Sequence, residues 1–271
     1  MKCYDFKQVN FNNNNLLDYS VDATYVIHLE NNGRYDSIIE QLKIFQPTNK
    51  VYILINKGFR KCQKESHVNS TNTDLVDSYL QIFHHSVKNE YENILILEDD
   101  FFFNRKILKK HICDDINKFL LQNKNKEFLY YLGCLPIVQR KYSGNHNKMI
   151  IGSLTHSVIY PKIIINKIIQ MDRTKIVDWD ANTRNFARYI YNTPLCYQLM
   201  TETENSKNWI NTTSIKLDVY FVLYLYKKLN LDKTVDGYYT LYYWSLRMFE
   251  IILLTLMLLV FLVCLYCFRR R

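Results

Sequence analysis

The stretch Asn93-Ile94-Leu95-Ile96-Leu97-Glu98-Asp99-Asp100-Phe101 runs from four consecutive aliphatic residues straight into three carboxylates. An apolar run bounded by Asn and by acids predicts a buried, parallel-type strand, and ligands of open α/β sheets gather at the carboxyl ends of such strands. Three adjacent anions repel one another unless a cation sits among them. Carboxylate oxygens are hard ligands suited to Mg²⁺ or Mn²⁺, and Glu98 and Asp100, two residues apart, point to one side while Asp99 points to the other. The expectation is a divalent ion held by Glu98 and Asp100 beside a phosphorylated ligand. The competing reading is a solvated acidic turn.

Outward from this strand, apolar periodicity alternates between strand and helix. Strands are expected at Tyr25 to Leu29, Val51 to Ile55, Phe128 to Leu132 and Leu154 to Tyr160, and helices at Tyr35 to Phe45, Asp74 to Lys88, Ile107 to Asn123 and Pro161 to Met171. Lys57 to Thr73 reads as a polar loop, and residues 1 to about 20 as a polar, Asn-rich, loosely ordered segment. Such alternation implies a parallel-rich sheet with crossover helices.

At 271 residues the chain holds one α/β domain and an appendage. The net charge of +9 is carried by scattered lysines with no basic stripe, so no nucleic-acid partner is expected. Seven cysteines without paired spacing in the soluble part indicate no disulfide framework, and a reducing surrounding for the domain. Met1 to Asn15 has an Asn tract and no apolar core of adequate length, so no signal peptide is expected there. Ile251 to Phe268, 18 residues with Thr255 the only clearly polar one, spans about 27 Å as a helix and reads as a single-pass C-terminal anchor. Tyr238, Tyr239, Tyr242, Tyr243 and Trp244 would form its interfacial aromatic belt. Flanking cations do not decide the orientation; the expectation is a tail anchor inserted after synthesis, which leaves the catalytic domain in the cytosol, and the sequons at Asn69 and Asn211, usable only on the lumenal side, carry little weight in an Asn-rich chain. Lys216 to Leu231, too short to span, is either a closing element of the domain or an interfacial one.

Downstream acids supply further candidates. Asp178 and Asp180 flank Trp179, whose flat face suits a sugar ring; Asp178 is the first choice of general base and Asp180 the second, with Asp180 otherwise an N-cap for a helix over Ala181 to Tyr191. His156 either completes the metal shell or is a packed core histidine. Arg34 either meets a donor phosphate or is a turn residue after Gly33.

Four segments, in order, resemble glycosyltransferase family 25, the lipopolysaccharide-type and procollagen-type sugar transferases. Glu98-Asp99-Asp100 is similar to the family's acidic metal motif. Tyr25-Val26-Ile27-His28-Leu29 with Arg34 is similar to its opening strand, although Glu30 or Asn31 stands at the family's first Arg position. Ser78-Tyr79, 20 residues before Glu98, lies where the family has Ser-His, with Asp74 and Leu75 replacing its Gly-Cys. Gly152 to Tyr160 resembles a further family segment, followed by Asp178 where an acid is expected.

The resemblance, covering about residues 23 to 210, implies an α/β GT-A fold: a Rossmann-like mixed, largely parallel sheet with helices on both faces, here with a C-terminal transmembrane helix. It divides the chain into a polar segment (1–20), the GT-A-like domain (21–215), a closing segment (216–247), the transmembrane helix (248–268) and a basic tail (269–271). It implies inverting, Mn²⁺- or Mg²⁺-dependent transfer of a hexose from a nucleotide sugar such as UDP-galactose or UDP-glucose to a hydroxyl of a glycan or protein. Ile27, His28, Leu29, Arg34, Ser78 and Asp99 would meet the donor, Glu98, Asp100 and His156 the metal. The rival expectation is a catalytically silent, membrane-anchored binding or scaffold protein; a nucleotidyltransferase ranks third.

Overall fold

The computed structural model describes residues 2–11, 16–198, 224, 227–231 and 234–270. Its centre is the strand quoted above, β4 (Asn93–Glu98), in a seven-stranded sheet. Parallel to it runs β2 (Ala23–Leu29), and beyond β2 lies β3 (Lys50–Asn56), also parallel. Side chains alternate along all three strands. Tyr25, Ile27, Tyr52, Leu54, Ile94 and Ile96 enter one apolar cluster; Val26, Val51, Ile53, Ile55, Leu95 and Leu97 enter the other. Both faces are therefore apolar, and each is covered by helices, as a buried parallel sheet requires. Helices α2 (Thr71–Lys88) and α4 (Lys162–Ile169) cover the first face; α1 (Tyr35–Phe45) and α3 (Lys110–Gln122) cover the second.

Local chemistry sets the helix ends. Ser70 caps α2 in a reciprocal capping box with Thr73, so the helix begins at Thr71 and not at Asp74. Gln46 closes α1 in the left-handed region (φ 40°), and Pro47 prevents continuation. The expected helix from Ile107 is split into a 3-10 turn, Arg105–Leu108, and α3.

The sheet is mixed. β4 is flanked on its other side by β7 (His146–Pro161), antiparallel, and β7 forms a hairpin with β6 (Phe128–Ser143). These strands are 16 residues each, far longer than the apolar runs suggested, because register shifts at Tyr131/Gly133, Gly133/Leu135 and Pro136/Val138 break the alternation without ending the ladder. The bulges curl the hairpin, so that β8 (Ala187–Tyr191) pairs with the start of β6 on one edge and with the first four residues of β7, His146 to Met149, on the other. Ala181 to Tyr191 is thus not one helix. A five-residue helix, α5 (Trp179–Thr183), gives way to β8, where Arg188 and Ile190 turn inward between partly exposed neighbours.

The N-terminal segment is more ordered than its composition suggests. β1 (Tyr4–Asn10) pairs antiparallel with β3 at the sheet edge, where half of its residues face solvent, and so reads as polar. Cys3, just before it, is disulfide-bonded to Cys62, which corrects the expectation of unpaired cysteines and removes the argument for a reducing surrounding. The pairing arises because β1 returns along β3 and brings Cys3 to the loop that leaves β3; Lys57 N–H donates to Cys3 C=O at 3.1 Å. The bond closes a 59-residue separation. Cys3→Ser, or reduction of the native chain, should therefore lower stability by about 2–5 kcal/mol in urea titrations; an unchanged midpoint would mean that the thiols are unpaired in solution.

The last helix, α6 (Asp236–Arg269), has two unlike halves. Its first turns pack on β6, with Tyr238, Leu241, Tyr242 and Ser245 buried. From Ile251 onward it is exposed all round, with a mean hydropathy of 3.0 over an 18-residue window, and it is long and apolar enough to cross a membrane. The expected aromatic belt shrinks accordingly: Tyr238 and Tyr242 belong to the domain core, and Tyr243 and Trp244 are the exposed pair. Most of Lys216 to Leu231 lies outside the described residues.

Candidate active site

Strands β2, β3 and β4 end at one edge of the sheet, and a cavity of about 380 Å³ opens there. Nine of the eleven site residues expected from sequence line it: Ile27, Leu29, Arg34, Ser78, Glu98, Asp99, Asp100, Asp178 and Asp180. The two histidines do not. His156 is fully buried on β7, where its neighbour Thr155 takes the cavity side, and burial pushes its imidazole down to about 4 against the opposing influence of the Cys196 backbone. The metal-ligand role expected of His156 is thus not supported by its position. His28 lies behind the wall, 3.5 Å from Asp99.

The three acids of the central run have three different surroundings. Asp99 accepts from Arg34 Nη1 at 2.6 Å, from Leu29 N–H at 3.2 Å and from the Asn32 amide. Burial alone would raise its carboxyl, but the nearby His28 ring, the Arg34 charge and hydrogen bonds from Arg34 and Leu29 outweigh it and hold the group below the ordinary carboxylate range. Asp99 therefore ties β4 to the turn after β2, and Arg34, 3.5 Å from Asp100 as well, is engaged by these acids.

Glu98 and Asp100 are held the opposite way. Glu98 accepts from Tyr79 OH at 2.8 Å and from Thr155 Oγ1 at 3.0 Å; burial first, then the charges of Asp100 and Asp180, push its carboxyl up to about 8. Asp100 accepts from Gln198 Nε2 at 2.6 Å, and burial followed by the Asp99 charge pushes it up to about 6. Its Oδ1 is buried with no hydrogen-bond partner. Gln198 lies on β9 (Cys196–Gln198), which pairs with β5 (Phe101–Phe103), and both its N–H and its C=O meet the hydroxyl of Tyr238 on α6.

The acids on α5 divide as well. Asp178 is the N-cap: its Oδ1 accepts from Ala181 N–H at 2.8 Å. That role had been expected of Asp180, which instead turns into the cavity. Asp180 Oδ2 accepts from Leu154 N–H at 3.0 Å, Oδ1 is buried without a partner, and burial with the Asp178 charge raises its carboxyl. Leu154 holds that N–H in place at φ 71°, a left-handed conformation costing a leucine about 1–2 kcal/mol. Trp179 cannot offer its face to a sugar, because it stacks on Tyr79 at 4.2 Å and is 3% exposed.

The same cavity has basic lining from the segment expected to be a polar loop. Lys57, Arg60 and Lys61 line the cavity just after β3. Gly58 makes the turn possible at φ +77°, and a Cβ there would come within 3.2 Å of Leu29. Asn56 braces the turn: Oδ1 accepts from Gly58 N–H at 2.7 Å and from Lys64 Nζ at 2.7 Å, while Nδ2 donates to Ser78 Oγ at 2.9 Å. The signal available was a strand end followed by Asn-Lys-Gly, in register with the end of β2.

Among the described residues no three His, Cys, Asp or Glu side chains converge as a ready cage for a metal ion. The donor set nevertheless fits a hard cation: the carboxyls of half-buried Glu98 and buried Asp100 are pushed above the ordinary range, and Asp100 and Asp180 each keep a buried oxygen without a hydrogen-bond partner. A raised acid holds its proton in the folded state after the unfolded chain has released it. The metal-free fold should therefore lose stability as pH rises from about 4.5 through about 8, and Glu98→Gln should be the more stable protein at about pH 8, the difference closing toward about pH 4.5. Urea midpoints of both proteins across this range check it.

No protein-family model matches the chain, and no curated protein matches it.

Proposed function

We propose that the domain is a metal-dependent glycosyltransferase of GT-A type, resembling family 25, that moves a hexose from a nucleotide sugar, of the UDP-galactose or UDP-glucose kind, to a hydroxyl of a glycan or protein. The observation that carries this reading is that Glu98, Asp100 and Asp180 line one cavity with Lys57, Arg60 and Lys61 at the carboxyl edge of parallel strands. Mn²⁺ or Mg²⁺ would be held by Glu98 and Asp100 and would supply the positive charge that neutralises the leaving diphosphate. Lys57, Arg60 and Lys61 receive that diphosphate. Asp180 takes the acceptor hydroxyl's proton while the acceptor oxygen bonds to the anomeric carbon and the carbon–phosphate oxygen bond breaks, its electron pair leaving with the diphosphate. Asp180 is preferred to Asp178 because its Oδ1 has no protein partner, whereas Asp178 is tied to the helix end. An elevated carboxyl also suits a base working near neutrality. The second half of α6 would anchor the domain in a membrane.

The test is release of sugar from nucleotide sugars, with and without Mn²⁺, and chromatography of any glycoside formed. Metal should stabilise the native chain more at about pH 8 than at about pH 6, since the ion competes with the protons on Glu98 and Asp100. The rival is a membrane-anchored protein that binds the donor without turning it over, in keeping with Asp74 and Leu75 standing where the family has Gly-Cys and Tyr79 where it has His. Donor binding without hydrolysis or glycoside would select that rival, and a nucleotidyl product would select a nucleotidyltransferase.

A further inference from the structure

We propose that the far end of the β6–β7 hairpin is a second membrane contact, docking on anionic lipid headgroups beside α6; the proposal rests on the reading of α6 as a membrane anchor. The hairpin is joined to α6 at the helix's last buried turn: Gln139 Nε2 donates to Tyr242 C=O and to Ser245 Oγ, both at 2.7 Å. Ser245 precedes Ile251 by six residues, about 9 Å along the helix axis, and the headgroup layer is on the order of 5–8 Å thick. Gln139 therefore sits at the outer edge of that layer when the apolar half of α6 is in the bilayer.

The residues around Gln139 have the chemistry of that depth. Gln139 pairs with Met149, and Met149 shares a buried cluster with Tyr242, so Ile150 and Ile151 emerge next to the helix junction. They are 41% and 52% exposed in a β-strand, where isoleucines otherwise turn inward. Arg140 and Lys141 are exposed and Lys148 is half-exposed, with Tyr142 exposed at the turn. Asp115, the carboxylate that meets the turn, is taken up by Asn145 and Tyr191. On α6 the exposed Tyr243 and Trp244 continue the same band of aromatic and basic groups. Exposed aliphatics with cations and interfacial aromatics, contiguous with a membrane helix, fit an anionic lipid surface. Two contacts fix the domain's tilt, where a helix alone leaves it to rotate.

The experiment uses the full chain in vesicles of phosphatidylcholine with or without phosphatidylserine. Exposed Cys264 and Cys267 are replaced by Ala, and one environment-sensitive fluorophore is placed on Ile151→Cys, Val260→Cys or Lys124→Cys in separate preparations. Lys124, four residues before β6 begins, lies at the opposite end of the strand from Gln139. Shallow spin-labelled lipids should quench the Ile151 label, more strongly with phosphatidylserine, and Arg140→Glu with Lys141→Glu should weaken that quenching while the Val260 label is quenched throughout. An Ile151 label as open to aqueous iodide as the Lys124 label, with Val260 quenched, overturns the proposal. An unquenched Val260 label overturns the anchor reading and the proposal with it. Energy transfer between Ile151 labels that is indifferent to lipid composition would replace the lipid surface by a second copy of the chain.

Discussion

Asp180→Asn should lower sugar transfer by about 10²–10⁴-fold, the usual loss on removing a general base, while donor affinity stays close to native. Asp180 reaches the cavity through one bond to Leu154 N–H, which an Asn oxygen can still accept, so the variant should keep its fold. Asp178→Asn should behave differently. An Asn caps a helix about as well as an Asp, so both stability and turnover should change little. Asp100→Asn should weaken metal and donor binding together, because Asp100 supplies a proposed ligand oxygen that now has no protein partner. Calorimetry of the donor and chromatography of the product, run on all three, separate these defects. A dead Asp178→Asn beside an active Asp180→Asn would reverse the assignment of the base and leave the enzyme class standing. Full activity in all three would remove the acidic cavity from the reaction.

Two truncations should give opposite results. A chain ending at Arg247 keeps the docked turns of α6 and loses the apolar ones, so it should be soluble after a carbonate wash and retain its near-ultraviolet dichroism. A chain ending at Val235 also loses Tyr238, Leu241 and Tyr242 from the core. At about 1.5–3 kcal/mol for each buried side chain, this removes on the order of 5–9 kcal/mol, comparable with the entire stability of a domain. That chain should be unfolded or aggregated. Membrane retention of the chain ending at Arg247 would place the anchor within Lys216 to Tyr243.

The parallel core was legible because its periodicities are pure. Ile38, Leu42 and Phe45 fall on one helical face, and the expected range Tyr35 to Phe45 is the observed α1. The apolar run Ile94 to Leu97 meets β4 within one residue at each end, and Pro161 to Met171 meets α4 within two. What escaped depends on pairings between distant segments. β1 shows a half-polar pattern because its other edge is open, and β8 is a strand because two strands accept it. The acidic half of the site was readable from adjacent charges. The basic half was not, since Lys57, Arg60 and Lys61 share the cavity with the acids only because β3 and β4 end at the same edge of the sheet. Of the two readings of His156, its burial fits the packed core histidine, because a strand residue's outlook is set by its register, and Thr155 has the cavity side.

Tyr79 joins both halves of the acid chemistry with one side chain. Its hydroxyl holds Glu98 and its ring carries Trp179, the residue between Asp178 and Asp180. A change at this position therefore has two debts to settle. A smaller or polar residue at 79 would leave Glu98 with Thr155 alone and open a gap under the indole. Descendants and relatives of this chain should vary position 79 together with positions 155 and 179, and seldom without them. Pairwise covariation among these three, gathered as related sequences accumulate, is a record of the site's mechanics that requires no assay of its activity.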